Sequence, residues 1–216
     1  MSFLDVMLGI YKGFGVTATV TILGLLYAIP FALLAGISQN FTTGISRKVI
    51  TFIIELWRSS PVIVLLYAFY YTLPSFGIYL SGITVGGLVL GLNSGAYSSQ
   101  SVRAALQSLP RGQCEAGLAL GLTRFEVLRL VELPQAIRAM IPTFINDLIQ
   151  LIKGTALVSL ITLSDMTFRA KEISELSYNP LLIYSSLLFA YLILCYPVTI
   201  FGRHLERSHG NRRGRS

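Results

Sequence analysis

Apolar residues in this chain come in long runs separated by short polar punctuation, a period that suits neither half-buried strands nor the helices of a soluble domain. At about 1.5 Å per residue, roughly 20 apolar residues cross the ~30 Å hydrocarbon core of a bilayer as a helix. Five segments meet that length: 14–35, 49–71, 83–104, 141–163 and 181–201. The first contains "VTATVTILGLLYAIPFALLAG" without a charge, and its Pro30 is tolerable where neighbouring helices satisfy the carbonyl it frees. The second and fourth carry ionisable residues, Glu55 with Arg58 and Asp147 with Lys153. The pattern predicts an all-α membrane protein: one membrane domain over 1–216, five transmembrane helices, and a polar loop over 105–140.

Composition agrees, with 53% hydrophobic and 12% charged residues. The net charge of +7 could suit a nucleic-acid surface, so its placement has to decide. Arg47 and Lys48 follow the first run; Arg103 lies at the end of the third, and Arg111, Arg124, Arg129 and Arg138 follow it; Arg203, Arg207, Arg212, Arg213 and Arg215 follow the fifth. The opposite side has Lys12, and Arg169 with Lys171 among Asp165, Glu172 and Glu175. By the positive-inside rule the amino terminus is expected outside and the carboxyl terminus in the cytoplasm. The basic tail then reads as topology, and no nucleic acid is expected as a partner. The start "MSFLDVMLGIYKGFG" has no basic leader, so the first run is expected to be retained as a helix.

Chemistry is sparse. Cys114 and Cys195 fall on different predicted levels, neither has metal-ligand spacing with His204 or His209, and no phosphate loop, HExxH or GxSxG is present. The loop is more informative. From Glu115, apolar positions Leu118, Leu122, Phe125, Leu128 and Val131 follow helical spacing, with Gly121 breaking the segment in two and Pro134 expected to end the second helix. By amphipathicity alone this is a surface helix at the lipid headgroups.

The spacing Glu115-Ala116-Gly117, three residues, Gly121, nine residues, Val131-Glu132-Leu133-Pro134 resembles the cytoplasmic signature of binding-protein-dependent ABC importer permeases. That signature runs EAA, three residues, G, nine residues, I-x-L-P, so Gly117 and Val131 depart from it. "ELWRSSP" from Glu55, "NSGAYSSQSVRAALQSLPRGQ" from Asn93 and "LPQAIRAMIPTFINDLIQLIKGTALVSLI" from Leu133 are similar to segments of the polar amino acid subfamily. Gln100 stands where that subfamily usually has Glu, which would leave a neutral hydrogen bond where an ion pair with Arg103 is expected. The resemblance implies that Glu115, Ala116, Gly117, Gly121, Leu133 and Pro134 mark the element that couples to a separate ATPase. It implies a multi-pass subunit of the bacterial cytoplasmic (inner) membrane, with no cofactor of its own and no enzyme activity. Its partners would be an ABC ATPase dimer holding ATP and Mg, an extracytoplasmic amino-acid-binding protein, and a second permease subunit, either a copy or a sister chain.

Ionisable groups within membrane helices are costly, and by default they mark a functional site. Lys153 and Asn93 both fall near the predicted midplane, and Asn146, Gln150 and Lys153 share one face at i, i+4 and i+7, with Asp147 off that stripe. With Tyr97 as a pocket wall, these residues form the expected amino acid site: Lys153 for a carboxylate, Asp147 for an ammonium. Glu55 and Arg58, at i and i+3, are expected to pair with each other. The outer segment Ser164–Pro180, patterned around Phe168, Ile173 and Leu176, could serve as a gate or a platform for a solute receptor. Two alternatives fit less: an ion-gradient-driven secondary transporter, which leaves the loop unexplained, and a membrane enzyme, for which no nucleophile or metal set exists.

Overall fold

Small residues recur at every fourth position in two segments, Gly24, Ala28, Ala32 and Gly36 in one and Gly87, Gly91 and Gly95 in the other. A helix carries such a repeat on one face. The computed structural model describes residues 2–177 and 179–210, and the tail residues Arg212, Arg213 and Arg215 lie outside them. Both segments are helical, α2 over Phe14–Phe41 and α5 over Gly82–Gln107, after a nine-residue α1 over Phe3–Tyr11. Their small faces meet. A Cβ on Gly91 would lie 2.5 Å from the Gly24 carbonyl oxygen, one on Gly95 2.8 Å from that of Ala28, and one on Gly36 2.5 Å from that of Ser99. In lipid no hydrophobic drive separates one apolar helix face from another, so this close backbone packing supplies the attraction. Contacting residues rise together in number along both helices, so α2 and α5 run parallel.

Parallel neighbours require a return path, supplied by α3 (Gly44–Ser59) and α4 (Val62–Tyr67). The expectation of one uninterrupted helix over 49–71 is corrected here: the chain bends by 98° between Gly44–Ser59 and Val62–Phe76. Pro61 has no N–H to continue α3 and holds Ser60 extended, with ψ 134°, while its carbonyl starts α4 by accepting from Val64 and Leu65. Beyond α4 a π turn over Ala68–Thr72 and a 3-10 turn over Leu73–Phe76 end at Gly77, whose φ of 76° closes the segment.

The polar loop is shorter than 105–140. It holds α6 (Arg111–Ala119) and α7 (Arg124–Val127), and α8 already begins at Leu133 and runs to Gly154. Pro134 opens α8 instead of ending the helix before it. A π turn over Leu128–Glu132 widens the ladder, with the Leu133 N–H reaching back to the Leu128 carbonyl, so the proline ring meets no tight i−4 bond. A 3-10 turn over Thr155–Ile161 completes this segment. Ser98 meets Asp147, and a Cβ on Gly86 would lie 3.0 Å from Val158, so α8 is antiparallel to α5. The last helix, α10 (Pro180–Gly210), turns back again, with Gly202 against Ile145.

At the other end α1, unforeseen in the sequence, and α9 (Met166–Ser177) pack on α10 through Val6, Ile10, Met166, Ala170 and Ile183. Asp165, fully buried, caps α9 by accepting from the Thr167 and Phe168 N–H groups at 3.1 and 2.9 Å. Every element among the described residues is helical. Among the described residues three helices are long and apolar enough to cross a membrane, Phe14–Phe41, Arg124–Ile161 and Pro180–Leu205, with a fourth if the bent pair counts as one span. α5 has the length, 26 residues, but Asn93 to Gln100 make its second half polar.

Replacing Gly91 by Val should break the α2–α5 contact, since its Cβ would lie 2.5 Å from a backbone oxygen. A loss of about 1–3 kcal/mol is expected, read as a lower melting temperature and folded yield. Gly15→Ala, where nothing lies within 4 Å, should leave both unchanged.

Candidate functional site

A helix that stops at a proline leaves its last carbonyls without partners, and within a membrane something else has to satisfy them. At the end of α3 two residues of α5 do so. The Asn93 side-chain amide donates to the Trp57 carbonyl at 2.6 Å, and the Tyr97 hydroxyl donates to the Arg58 carbonyl at 3.0 Å. The expected Glu55–Arg58 pair is present at 2.9 Å, and the guanidinium lies over the Tyr97 ring, 5.2 Å from its centroid. Arg58 also carries a buried Nε with no hydrogen-bond partner.

Asn93 and Tyr97 border a cavity of about 410 Å³ between α4, α5 and α8. Asn93, Ser94 and Tyr97 face Asp147 and Gln150 across it, with Val62, Leu151 and Leu157 supplying apolar wall. The Ser98 hydroxyl donates to Asp147 Oδ2, leaving Oδ1 without a partner among the described residues. Tyr97 spends its one hydroxyl hydrogen on α3 and Asn93 one of its two amide hydrogens, and the groups left toward the cavity include the acceptors Asn93 Oδ1, the Tyr97 oxygen and the Asp147 carboxylate. Such a lining suits a ligand that presents N–H donors.

The stripe expected on α8 is rotated. Asp147, Gln150, Leu151 and Gly154 line the cavity, whereas Asn146 and Lys153 are exposed and off its wall, Lys153 standing toward Cys195 of α10. Leu151 turns α8 by packing its branched end against Gly24 of α2, at 3.1 Å from a Cβ built there. Gln100 does not bond Arg103. Its amide donates to Gln39 of α2 at 2.9 Å, and Gln39 donates to Thr51 of α3 at 2.9 Å, so the neutral side chain joins three helices.

The polar loop folds into an exposed helix–turn–helix. α6 ends with Gly121 at φ 84°, the Leu122 N–H reaching the Gly117 carbonyl and the Gly121 N–H that of Leu118. This is a Schellman motif with glycine at its left-handed position. Thr123 and Glu126 then form a capping box, legible in the sequence as T-x-x-E but unread there, and the Thr123 N–H and hydroxyl hold the Glu126 carboxyl below its ordinary value. Gly117, where the family signature has alanine, faces α7 so closely that a Cβ would lie 2.8 Å from Val127. Arg124 pairs with Glu132 at 2.8 Å, and Gln135 bonds Gln113 at 2.8 Å, tying the hairpin to the start of α8. Glu115 and Ala116 are exposed, Leu133 is half-buried, and Pro134 is exposed beside it. Leu120 is 83% and Phe125 68% exposed, an apolar surface on a loop of balanced charge.

Backbone-packed helices around a polar cavity, with a rigid exposed hairpin on one connection, define a membrane transport subunit. Residues 28–210 match the family described as binding-protein-dependent transport system inner membrane component. The chain is 33% identical over 192 residues to the L-cystine transport system permease protein TcyB of Bacillus subtilis, covering 88% of this chain and 82% of that protein. It is 35% identical over 198 residues to the glutamine transport system permease protein GlnP of Escherichia coli, covering 91% and 90%. Its fold matches the crystal structure of an amino acid ABC transporter with histidines at a TM-score of 0.85 and 27% identity, covering 96% of this chain and 99% of that one. The chain belongs to the family of binding-protein-dependent transport system inner membrane components and is a membrane permease. That membership replaces the ion-gradient and enzyme alternatives.

Asn93→Leu should orphan the Trp57 carbonyl, at about 1–3 kcal/mol, and appear as lowered thermal stability before any transport assay. Gly121→Val places a β-branched residue in the left-handed region, about 1–2 kcal/mol of strain, with the transmembrane core left intact. The melting temperature should fall while insertion stays normal.

Proposed function

We propose that this permease is the membrane-spanning half of an ATP-driven importer of polar amino acids. The observation that carries the reading is the polar cavity beside the Asp147 carboxylate, between α4, α5 and α8, lying in the same chain as the α6–α7 hairpin. In it Asp147 takes the amino acid's ammonium, with Asn93 and Tyr97 as further acceptors and the Gln150 amide as donor to the carboxylate. The hairpin, with Glu115, Ala116, Gly117 and Gly121 on one arm and Leu133 with Pro134 at its base, seats on an ABC ATPase that binds ATP and Mg and does the hydrolysis. An extracytoplasmic binding protein delivers the solute, and a second permease subunit closes the path. The names of TcyB and GlnP support a polar amino acid as the substrate class.

The reading includes five crossings in a single membrane domain, with the amino terminus outside. Its support is the alternation of direction: α2, then the bent α3–α4 pair, α5, α8 and α10, each reversing the last. Positive charge at Arg47, Lys48, Arg111, Arg124 and Arg129 collects at one end of that arrangement.

Stimulation of the partner ATPase by loaded binding protein, in proteoliposomes containing this chain, tests the function; no stimulation with any polar amino acid would sink it. Reporter fusions at Leu80 and Glu172 should read outside, and at Ser46 and Arg124 inside. Asp147→Asn keeps the bond to Ser98 but removes the charge, so uptake should weaken about tenfold to hundredfold, the equivalent of roughly 1.5–3 kcal/mol. Lys153→Met, compared in the same assay, reports whether the carboxylate is held by that more distant cation: a loss of similar size assigns it there, and unchanged uptake leaves it with Gln150.

A further inference from the structure

A second cavity, about 460 Å³, lies on the other side of the Asp147–Ser98 bond. Its walls are almost wholly apolar, formed chiefly by Leu25, Ile29 and Leu33 of α2 and Ile137, Ile141 and Ile145 of α8. The polar members, Ser94, Ser98 and Asp147, sit toward one end, and Ile137 marks the other. Ile29 is also part of the stripe Ile22, Leu26 and Ile29, which is 66%, 64% and 48% exposed along the outer face of α2. The groove therefore opens on the surface that meets hydrocarbon. From Ile137 to Asp147 the wall runs about 15 Å at ~1.5 Å per residue, the depth of one leaflet of a ~30 Å core. Arg138, exposed and next in sequence to Ile137, stands at the shallow end.

Water has few polar partners on such walls, and an empty groove would leave its lining without dispersion contacts. A lipid tail supplies them. We propose that the groove holds one acyl chain of an anionic phospholipid of the cytoplasmic leaflet, its phosphate beside Arg138 and its tail ending near Asp147. The tail closes the lateral route from hydrocarbon to that carboxylate, leaving Asp147 served from the 410 Å³ cavity alone. The choice of leaflet rests on the orientation given under the proposed function, which the reporter fusions test separately.

The permease, reconstituted with its ATPase in nanodiscs of equal phosphatidylglycerol and phosphatidylcholine, would be extracted gently and its retained lipid read by native mass spectrometry. Wild type should retain phosphatidylglycerol about fivefold over phosphatidylcholine, the preference expected of ~1 kcal/mol from one basic residue at the surface. Ile141→Trp fills the groove and should strip the retained lipid, and Ile29→Phe, at the exposed mouth, does the same with less risk to folding. Arg138→Gln should keep the lipid and lose the preference for phosphatidylglycerol. Undiminished lipid in either filling variant that elutes as folded complex overturns the proposal. So does equal retention of the two lipids by wild type. An Ile29→Cys protein that forms disulfides between chains would assign the groove to a second copy and overturn it equally.

Discussion

Backbone contact between α2 and α5 is the constraint on which the rest of the structure depends. With Gly24 and Ala28 against Gly91 and Gly95, two helices that run in the same direction sit closer than side chains would allow. Because they are parallel, the residues between them have to return, and because they are close, the return cannot pass between them. The α3–α4 segment therefore goes around the outside of α5. The cavity forms where that detour meets α8.

The detour explains why Asn93 and Tyr97 are more than pocket walls. A proline-stopped helix in a membrane leaves carbonyls exposed, and the two α5 side chains close them, fixing the angle of α4 over the cavity. The same two bonds consume the Tyr97 hydroxyl hydrogen and one of the two Asn93 amide hydrogens. Fold support and the orientation of two cavity side chains thus come from one pair of hydrogen bonds. The Gln100–Gln39–Thr51 chain ties α5, α2 and α3 together nearer the hairpin side, in place of the neutral Gln100–Arg103 bond expected from the sequence.

The α6–α7 hairpin is rigid for local reasons. A left-handed glycine, a capping box and the Arg124–Glu132 pair fix its geometry within a short stretch of chain. The π turn then leads directly into α8, the helix that carries Asp147 and Gln150. Arg124–Ile161 is one continuous helical segment.

What the sequence determined by itself was local or periodic. Apolar run length announced the membrane helices, and the spacing from Glu115 to Pro134 announced the hairpin and its family. Glu55 and Arg58, three residues apart on one helix, announced their own pairing. Tertiary structure decided whatever depended on rotation about a helix axis or on a partner distant in the chain. Lys153 and Asp147 are both plausible at the midplane, but which of them faces the cavity was settled by Leu151 packing against Gly24, more than a hundred residues earlier. Pro61 and Pro134 look alike in sequence, yet one breaks a helix and the other opens one. The difference is the π turn ahead of Pro134, which accommodates the missing N–H, while ahead of Pro61 the orphaned carbonyls found Asn93 and Tyr97. A hydropathy pattern records how apolar a position is. It carries no record of which neighbour turns that position inward.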